Sequence, residues 1–441
     1  MPTSTPIHGP PGLPSAPRVV SLRGVGSPRF SVARPQRIGS RAVVVVIDAC
    51  GVGALPDADR YGDAGANTLL HVAEAVGGLA LPTLQRIGLG SILPLPGVAP
   101  VHRPALHGRL HPLGPGKDST AGHWELMGVA AAQAPPTYPR GVPEDLVARL
   151  TLALGHEFIC NRPYNGIAAI DDYGEEHLRS GRLILYTSQD SVLQLAAHAD
   201  RLPADELYAA CGLAREVMQG EDAVGRVIAR PFAGPPGHFV RTDGRRDFAL
   251  APPRRSYLDE LSDAGTPVHA VGKVNDLFAG VGIEQAHPAP TNALGLQATT
   301  ELLHSLREGL IFTNLIDTDQ VHGHRKDAEG FHGALQAIDA ELAVWLDLLG
   351  PEDLLVLTAD HGVDPRSPGT DHTREYVPLL AVVSGEGNGA TVDRRGGSGS
   401  RHDGPMADVG ATALRWLTGR VTDDLPGQPF VGLAERRLRT V

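Results

Sequence analysis

Residues 354–372, LLVLTADHGVDPRSPGTDH, restrict the possible folds more than any other stretch of the chain. A short apolar run of strand-type residues leads into Asp360 and His361, with His372 eleven positions beyond. Such a run, apolar on both sides, is the mark of a strand buried on both faces of a parallel sheet. Where it ends, side chains leave the pleat and reach into a crevice at the carboxyl edge, the usual ligand position in open α/β sheets. Adjacent Asp and His there, with a second His on the following loop, is metal-ligand chemistry. A strand end whose polar groups are satisfied locally is the plainer reading of this segment alone. The rest of the chain argues against it.

Two further apolar runs end in the same way. Residues 41–48, RAVVVVID, form a buried strand that stops on Asp48, and residues 312–325, FTNLIDTDQVHGHR, offer Asp317, Asp319, His322 and His324. Gly51-Val52-Gly53 invites a dinucleotide-binding reading, but Pro56 stands where the third glycine belongs and no helix opens at once. One acid-terminated strand is cheap by chance. Three at one edge would crowd carboxylates and imidazoles into a small volume, where like charges repel unless cations resolve the conflict. Oxygen and imidazole donors without thiolate suit Mn²⁺, Zn²⁺ or Fe²⁺ better than Ca²⁺ or Cu⁺. The donors suffice for two metals, and a pair about 3.5–4 Å apart can hold the attacking and leaving oxygens of a phosphoryl transfer. The residues by themselves therefore indicate a two-metal enzyme acting on phosphate or sulfate esters.

A nucleophile for that chemistry is offered by residues 114–128, GPGKDSTAGHWELMG, where glycines flank Lys117, Asp118, Ser119, Thr120 and His123. A hydroxyl at such a turn, at a helix N-terminus, is placed to attack or to carry a phosphoryl group. An ordinary glycine-rich loop with a capping Ser or Thr is the alternative.

After residue 265 strands alternate with helices: strands at 267–274, 310–316, 353–357 and 377–383, helices at 299–306, 328–349 and 406–417. That alternation implies an α/β fold, a mostly parallel sheet sandwiched by helices. Earlier helices are expected at 67–75 and 81–89. Between these parts the texture changes, with helices at 144–154 and 204–219, strands at 183–186 and 225–230, and a basic run at 241–246. Residues 133–251 read as a smaller α+β domain inserted into a discontinuous core of residues 41–132 and 252–441. Its arginines are either a solvated face or a phosphate clamp. Residues 385–404, rich in Gly, Ser and Arg, read as a mobile surface loop.

Composition closes off other classes. A net charge of −11 and an isoelectric point near 5.9 argue against a nucleic-acid surface. No apolar run approaches the roughly 18 residues of a membrane span. The first 40 residues, rich in Pro, Ser, Gly and Arg, lack the apolar core of a secretory signal and read as a disordered extension, or as the product of a start codon placed too far upstream. Cys50, Cys160 and Cys211 are scattered with no CxxC, which suits a reducing cytoplasm and no thiolate zinc site.

With these motifs assembled, the chain from about Ala42 onward resembles the phosphopentomutases, a family of the alkaline phosphatase superfamily. The likeness rests on PDADRYGDAGANTL, LPTLQRIGLG, GKDSTAGHWELMG, YTSQDSVLQLAAH, VGRVIARPF, GHRKDAEGF and TADHGVDPRSPGTDHTREYVPLL. Runs such as GHWE and GTDHTREYVPLL separate this family from the cofactor-independent phosphoglycerate mutases, which share only the metal skeleton. The resemblance implies an alkaline-phosphatase-like core with two Mn²⁺ ions, or other divalent metals, and an inserted cap. It implies that Asp48, Asp360 and His361 hold one metal and Asp319, His324 and His372 the other. Ser119 stands in place of the family's phosphorylated threonine. Ser188, Asp190, Arg226, Arg241 and Lys273 are the implied substrate-side residues. The implied reaction interconverts ribose 1-phosphate, or 2-deoxyribose 1-phosphate, and the 5-phosphate, with a sugar 1,6-bisphosphate as primer. The expected partner is thus a small pentose phosphate, with no nucleic acid and no membrane, and a monomer is consistent with the sequence. The alternatives are a mutase for a modified sugar phosphate, a metal-dependent phosphomonoesterase, or a metal-binding regulatory or scaffold protein that has lost catalysis. The departures lie near the substrate: serine for threonine at 119, Ala121 for a further threonine, Ala49 for a serine, and Asn161-Arg162-Pro163-Tyr164-Asn165-Gly166-Ile167-Ala168 for Asn-Lys-Pro-Ala-Ser-Gly-Thr-Glu.

Overall fold

Strand Arg41–Ile47 is buried along its whole length because it lies in the middle of an eight-stranded sheet. A computed structural model describes residues 40–133, 135–188, 191–383 and 400–431. The expected N-terminal extension, apart from Ser40, lies outside the described residues, as do Asp190 and most of the loop at 385–404. Across the sheet the strands run Gln285–His287, Val268–Val271, Gly309–Leu315, Arg41–Ile47, Leu354–Thr358, Val377–Val383, Leu106–His111 and Gly404–Pro405. The first five are mutually parallel. Strand Val377–Val383 runs antiparallel to both its neighbours. It follows Leu354–Thr358 through a loop with no helix, and a parallel return would have needed a crossover.

Register sets the site. Ile47 pairs with Leu315 and Val46 with Thr358, so three central strands finish level with one another. The chain leaves that edge at Asp48, Ile316 and Ala359. At the opposite edge the Arg41 amide and Nε both donate to Asp353 Oδ1 at 3.1 Å, fixing where the first strand begins.

Helices cover both faces, as the alternation implied. Helix Ala328–Leu348 falls where expected. The helix expected at 299 starts earlier, as Asn292–Ser305, because Thr291 caps it by accepting from the Leu294 amide at 3.4 Å. The segment expected as one helix at 81–89 is broken at Gly88, with φ of 114°, into Pro82–Ile87 and Leu89–Ile92.

A second sheet of six strands occupies residues 158–249, in the order Phe158–Pro163, Leu183–Thr187, Val192–His198, Arg226–Ala233 and Val240–Arg241, with Arg246–Ala249 also paired to Arg226–Ala233. One face packs a core that includes Leu146, Leu150, Leu207 and Cys211 from helices Glu144–Leu154 and Ala204–Val217. The other packs Ala169 and Ile170 of helix Gly166–Ser180 against Ile184, Tyr186 and Phe232. Among the described residues no helix is long and apolar enough to cross a membrane.

Candidate metal centre

Asp48 follows the central strand, and Ala49 after it takes a left-handed φ of 63°, turning the chain sharply away. Two groups from the neighbouring segment fix Asp48. Asn314 Nδ2 donates to its Oδ2 at 3.0 Å and Thr318 Oγ1 to its backbone carbonyl at 2.6 Å. Oδ1 is left pointing into the crevice, 3.3 Å from His361 Nε2. Asp360 Oδ1 accepts from the amides of Ala49 and His361, each at 3.1 Å. Its Oδ2 lies 3.5 Å from the same His361 nitrogen. The His361 Nδ1 lies 3.1 Å from the Gly362 carbonyl, which can only accept, so Nδ1 carries a proton and Nε2 faces the crevice.

Ser119 reaches this point from another element. It opens helix Ser119–Leu126, capped by Asp118, whose Oδ1 accepts from Thr120 at 2.9 Å and Ala121 at 3.1 Å. The preceding loop is held almost residue by residue. Glu125 accepts from the Leu113 and Gly114 amides at 2.9 and 2.5 Å. Tyr61 donates to the Pro115 carbonyl at 2.9 Å, Arg374 to that of Gly116 at 2.8 Å, and Lys117 Nζ to Asp63 at 3.1 Å. Ser119 Oγ then lies 3.1 Å from His361 Nε2. The approach depends on Gly122, where an added Cβ would lie 2.4 Å from the Asp360 carbonyl oxygen. Gly122→Ala should therefore lift the helix, lowering unfolding stability by about 1–3 kcal/mol and turnover by more than that loss explains. Thermal melts beside steady-state rates test this, and an alanine variant matching the parent in both would show that the helix does not rest on Asp360.

The third strand end contributes through a wide, π-type turn, Thr318–His322, a distortion that recurs at functional sites. Asp319 in that turn has Oδ1 3.5 Å from His324 Nε2 and 3.3 Å from His372 Nε2. His324 Nδ1 donates to the Thr370 carbonyl at 2.6 Å, which turns Nε2 toward Asp319. Two residues offered by the same stretch go elsewhere. Asp317 Oδ2 accepts from the Asn292 amide at 2.9 Å, and His322 Nδ1 lies 2.8 Å from Asp327. The six side chains singled out for metals thus converge beside Ser119. Donor atoms of Asp319, His324 and His372 lie within 4.8 Å of one another, as do those of Asp48, Asp319 and His361.

The electrostatics of this cluster are those of a cation site. Asp48 Oδ1, Asp319 Oδ1, Asp360 Oδ2 and His372 Nε2 are all buried with no hydrogen-bond partner. Orphaned buried acceptors are rare in folded proteins, and four facing one volume fit a divalent cation. Burial alone would raise the Asp360 carboxyl, yet the His361 and His123 imidazoles and the Ala49 amide hold it at about 2. Burial alone would lower His361, and the carboxylates of Asp360, Asp48 and Asp319 drive it well above the usual imidazole range. Without a metal, a proton on His361 partly balances the carboxylates, and a bound cation would displace it.

The substrate-side residues are placed unequally. Lys273 is half-buried; loss of solvent lowers its pKa, the Asp48 and Asp319 carboxylates raise it, and Arg226 and Arg245 lower it. Arg226 stands at the start of its strand, 3.5 Å from Asp247. Ser188 follows strand Leu183–Thr187 and is half-buried. Arg241 is on the short strand Val240–Arg241, exposed and beside Gly166. Sequence reasoning missed Asn314 and Thr318, which aim Asp48, and gave no role to His123. His123 is wholly buried, with Nδ1 2.8 Å from the Ser119 carbonyl and 3.2 Å from Asp360 Oδ2. Its spacing four residues after Ser119, one helical turn, was the available signal.

An α/β fold with a buried carboxylate–imidazole cluster at the sheet edge fits a metalloenzyme, and the profile of the Metalloenzyme superfamily matches residues 40–418. Among curated relatives, the phosphopentomutase of Caldanaerobacter subterraneus subsp. tengcongensis is 48% identical over 341 residues, 77% of this chain and 86% of that one. The phosphopentomutase of Carboxydothermus hydrogenoformans is 46% identical over 373 residues, 84% of this chain and 94% of that one. That of Desulfitobacterium hafniense is 44% identical over 398 residues, 89% and 99% of the two chains. The chain belongs to the phosphopentomutase family and is an isomerase that moves a phosphoryl group.

Proposed function

We propose that this enzyme interconverts ribose 1-phosphate, or 2-deoxyribose 1-phosphate, and the 5-phosphate through a phosphorylated Ser119. The observation that carries the reading is the Ser119 hydroxyl 3.1 Å from His361 Nε2, beside orphaned carboxylate oxygens of Asp48, Asp319 and Asp360. Asp48, Asp360 and His361 would hold one Mn²⁺ and Asp319, His324 and His372 the second. When bound, such a pair lowers the pKa of an adjoining hydroxyl and neutralises charge on the phosphoryl oxygens. A sugar 1,6-bisphosphate first phosphorylates Ser119. The phosphoserine then gives its phosphoryl group to the free hydroxyl of a pentose monophosphate, whose proton passes to Ser119 Oγ. The resulting bisphosphate returns the phosphoryl group from its other end, and the freed sugar oxygen takes the proton back. Retention of phosphate depends on keeping water from the phosphoserine. We assign that exclusion to residues 133–251 as a cap over the core of 41–132 and 252–441. Ser188, Asp190, Arg226, Arg241 and Lys273 would hold the sugar and its distal phosphate. A cytoplasmic location belongs to the same reading, in keeping with three free cysteines.

The test incubates Mn²⁺-loaded protein with ribose 5-phosphate and a catalytic trace of sugar 1,6-bisphosphate, followed by phosphorus NMR. Ribose 1-phosphate without free phosphate is the expected product. Steady release of phosphate would mean a phosphomonoesterase, and no reaction would mean a different sugar.

A further inference from the structure

Glu375, three residues past His372, is almost wholly buried and has no part in the proposed chemistry. Its carboxylate accepts four hydrogen bonds. Oε1 takes the hydroxyls of Thr68 and Thr373, each at 2.7 Å, and Oε2 takes the amides of Gly53 at 3.1 Å and Thr68 at 2.9 Å. Both hydroxyls are relays, because each accepts an amide in turn. Thr68 Oγ1 receives Val363 at 2.9 Å and Thr373 Oγ1 receives Asp364 at 3.2 Å. Gly51 and Gly362 flank the carboxylate, and a Cβ on either would run into its oxygens. Burial pushes the Glu375 carboxyl up, and the bonds from Thr68, Thr373 and Gly53 pull it back.

These bonds join three segments, each leaving a metal-ligand position. Residues 49–53 follow Asp48, residues 362–364 follow Asp360 and His361, and Thr373 follows His372. Helix Thr68–Ala75 is their common anchor, since its first residue holds both Glu375 and Val363. Backbone bonds of 2.8 Å close the frame, from Val52 to the Tyr376 carbonyl, from Tyr376 to that of Gly53 and from Thr373 to that of Gly362. Asp319 and His324 arrive from residues 318–325, which bond to the Asp48 and Thr370 carbonyls instead. Partners behind a metal's ligands fix their orientation, and through it the affinity. We infer that Glu375 is a positioning residue of the metal centre: it holds the segments of Asp48, Asp360 and His361 at the separation one cation needs, acting through Thr68 and Thr373. The role rests on the reading of those three side chains as the ligands of one metal. Glutamine is a poor replacement. Backbone amides only donate, so its amide oxygen must face Gly53 and Thr68, and its NH₂ then faces two hydroxyls whose protons lose their acceptor.

The test titrates Mn²⁺ calorimetrically into the chelator-stripped full chain, comparing the parent with Glu375→Gln, Thr68→Val and Thr68→Ser. The parent should bind two Mn²⁺. Glu375→Gln and Thr68→Val should weaken one of the two by about 10–100-fold and the other by less. Thr68→Ser keeps the hydroxyl and should bind both as the parent does. Should Glu375→Gln not fold, Thr68→Val decides, because valine keeps the shape of threonine and residue 68 lies outside the metal centre. Excess Mn²⁺ should restore turnover in the weakened variants, with KM for the sugar phosphate unchanged. A residue that served only the fold would lower the melting temperature in chelator and leave the Mn²⁺ affinity of the folded protein alone. Parental affinity in Glu375→Gln and Thr68→Val, or equal weakening of both ions, would overturn the inference alone. A parent that binds fewer than two Mn²⁺ would overturn it together with the ligand assignment.

Discussion

Ser119→Ala is expected to abolish phosphate labelling of the protein and to cut the interconversion by at least about 10³-fold, while metal content stays near that of the parent. The effect is large because no neighbouring group can substitute. Thr120, the adjacent hydroxyl, is rotated about 100° around the helix axis relative to Ser119, so the two cannot face His361 together. Asp118 is committed to capping, and His123 Nδ1 carries a proton bonded to the Ser119 carbonyl. The six Asp and His side chains meant for metals come from other segments, and removing one hydroxyl leaves them in place. Ser119→Thr is the companion variant. It places at 119 the threonine that the sequence resemblance implies and should keep labelling, because its hydroxyl stands on the same backbone position. Incubation with ³²P-labelled sugar bisphosphate and denaturing electrophoresis reads the result, with elemental analysis for metals. Persistent label on the alanine variant would move the acceptor to another residue and undo the placement of Ser119.

How much of this could be read from the chain follows from what each element needs. The central strands were legible because a strand buried on both faces must be apolar throughout, and RAVVVVID and LLVLT satisfy that with little ambiguity. The acids that end them were legible for the same reason, since the polar residue after such a run must emerge at the sheet edge. Less could be read from the six-stranded sheet. Strand Val192–His198 is buried at all seven positions yet includes Gln194 and His198, so it shows neither alternation nor a clean apolar run. Helix Gly166–Ser180 opens on glycine and contains Gly174, which lowers helix propensity; Gly174 is there because a Cβ would lie 2.4 Å from Phe239. The residues that orient the site were hidden for another reason. Asn314 sits inside a strand where its amide looks like an isolated polar residue, and only the register of Val46 with Asn314 brings it to Asp48. Long-range pairing of that kind leaves no local pattern.

Asp319→Ala should lower bound metal from two per chain to below one, whereas His324→Ala should leave close to one. The resemblance assigned Asp319 to a single metal, but its carboxylate lies within 4.8 Å of donor atoms in both sets, His324 and His372 on one side and Asp48 and His361 on the other. A residue shared in this way supports two cations at once, and losing a charged primary ligand should weaken each by at least about a hundredfold. His324, by contrast, belongs to one set, and its Nδ1 is already bonded to the Thr370 carbonyl. The same geometry predicts a reversal in stability. Without metal, the single proton on His361 offsets only part of the charge of Asp48, Asp319 and Asp360, so removing one carboxylate relieves the remaining repulsion and should raise the melting temperature in chelator. With saturating Mn²⁺ the parent gains the free energy of binding and the variant gains little, so the order should invert. Elemental analysis after gel filtration reads the first expectation, and melts with chelator and with Mn²⁺ read the second. Equal metal content in the two variants, or a melting difference of the same sign in both conditions, would show that Asp319 does not join the two sets.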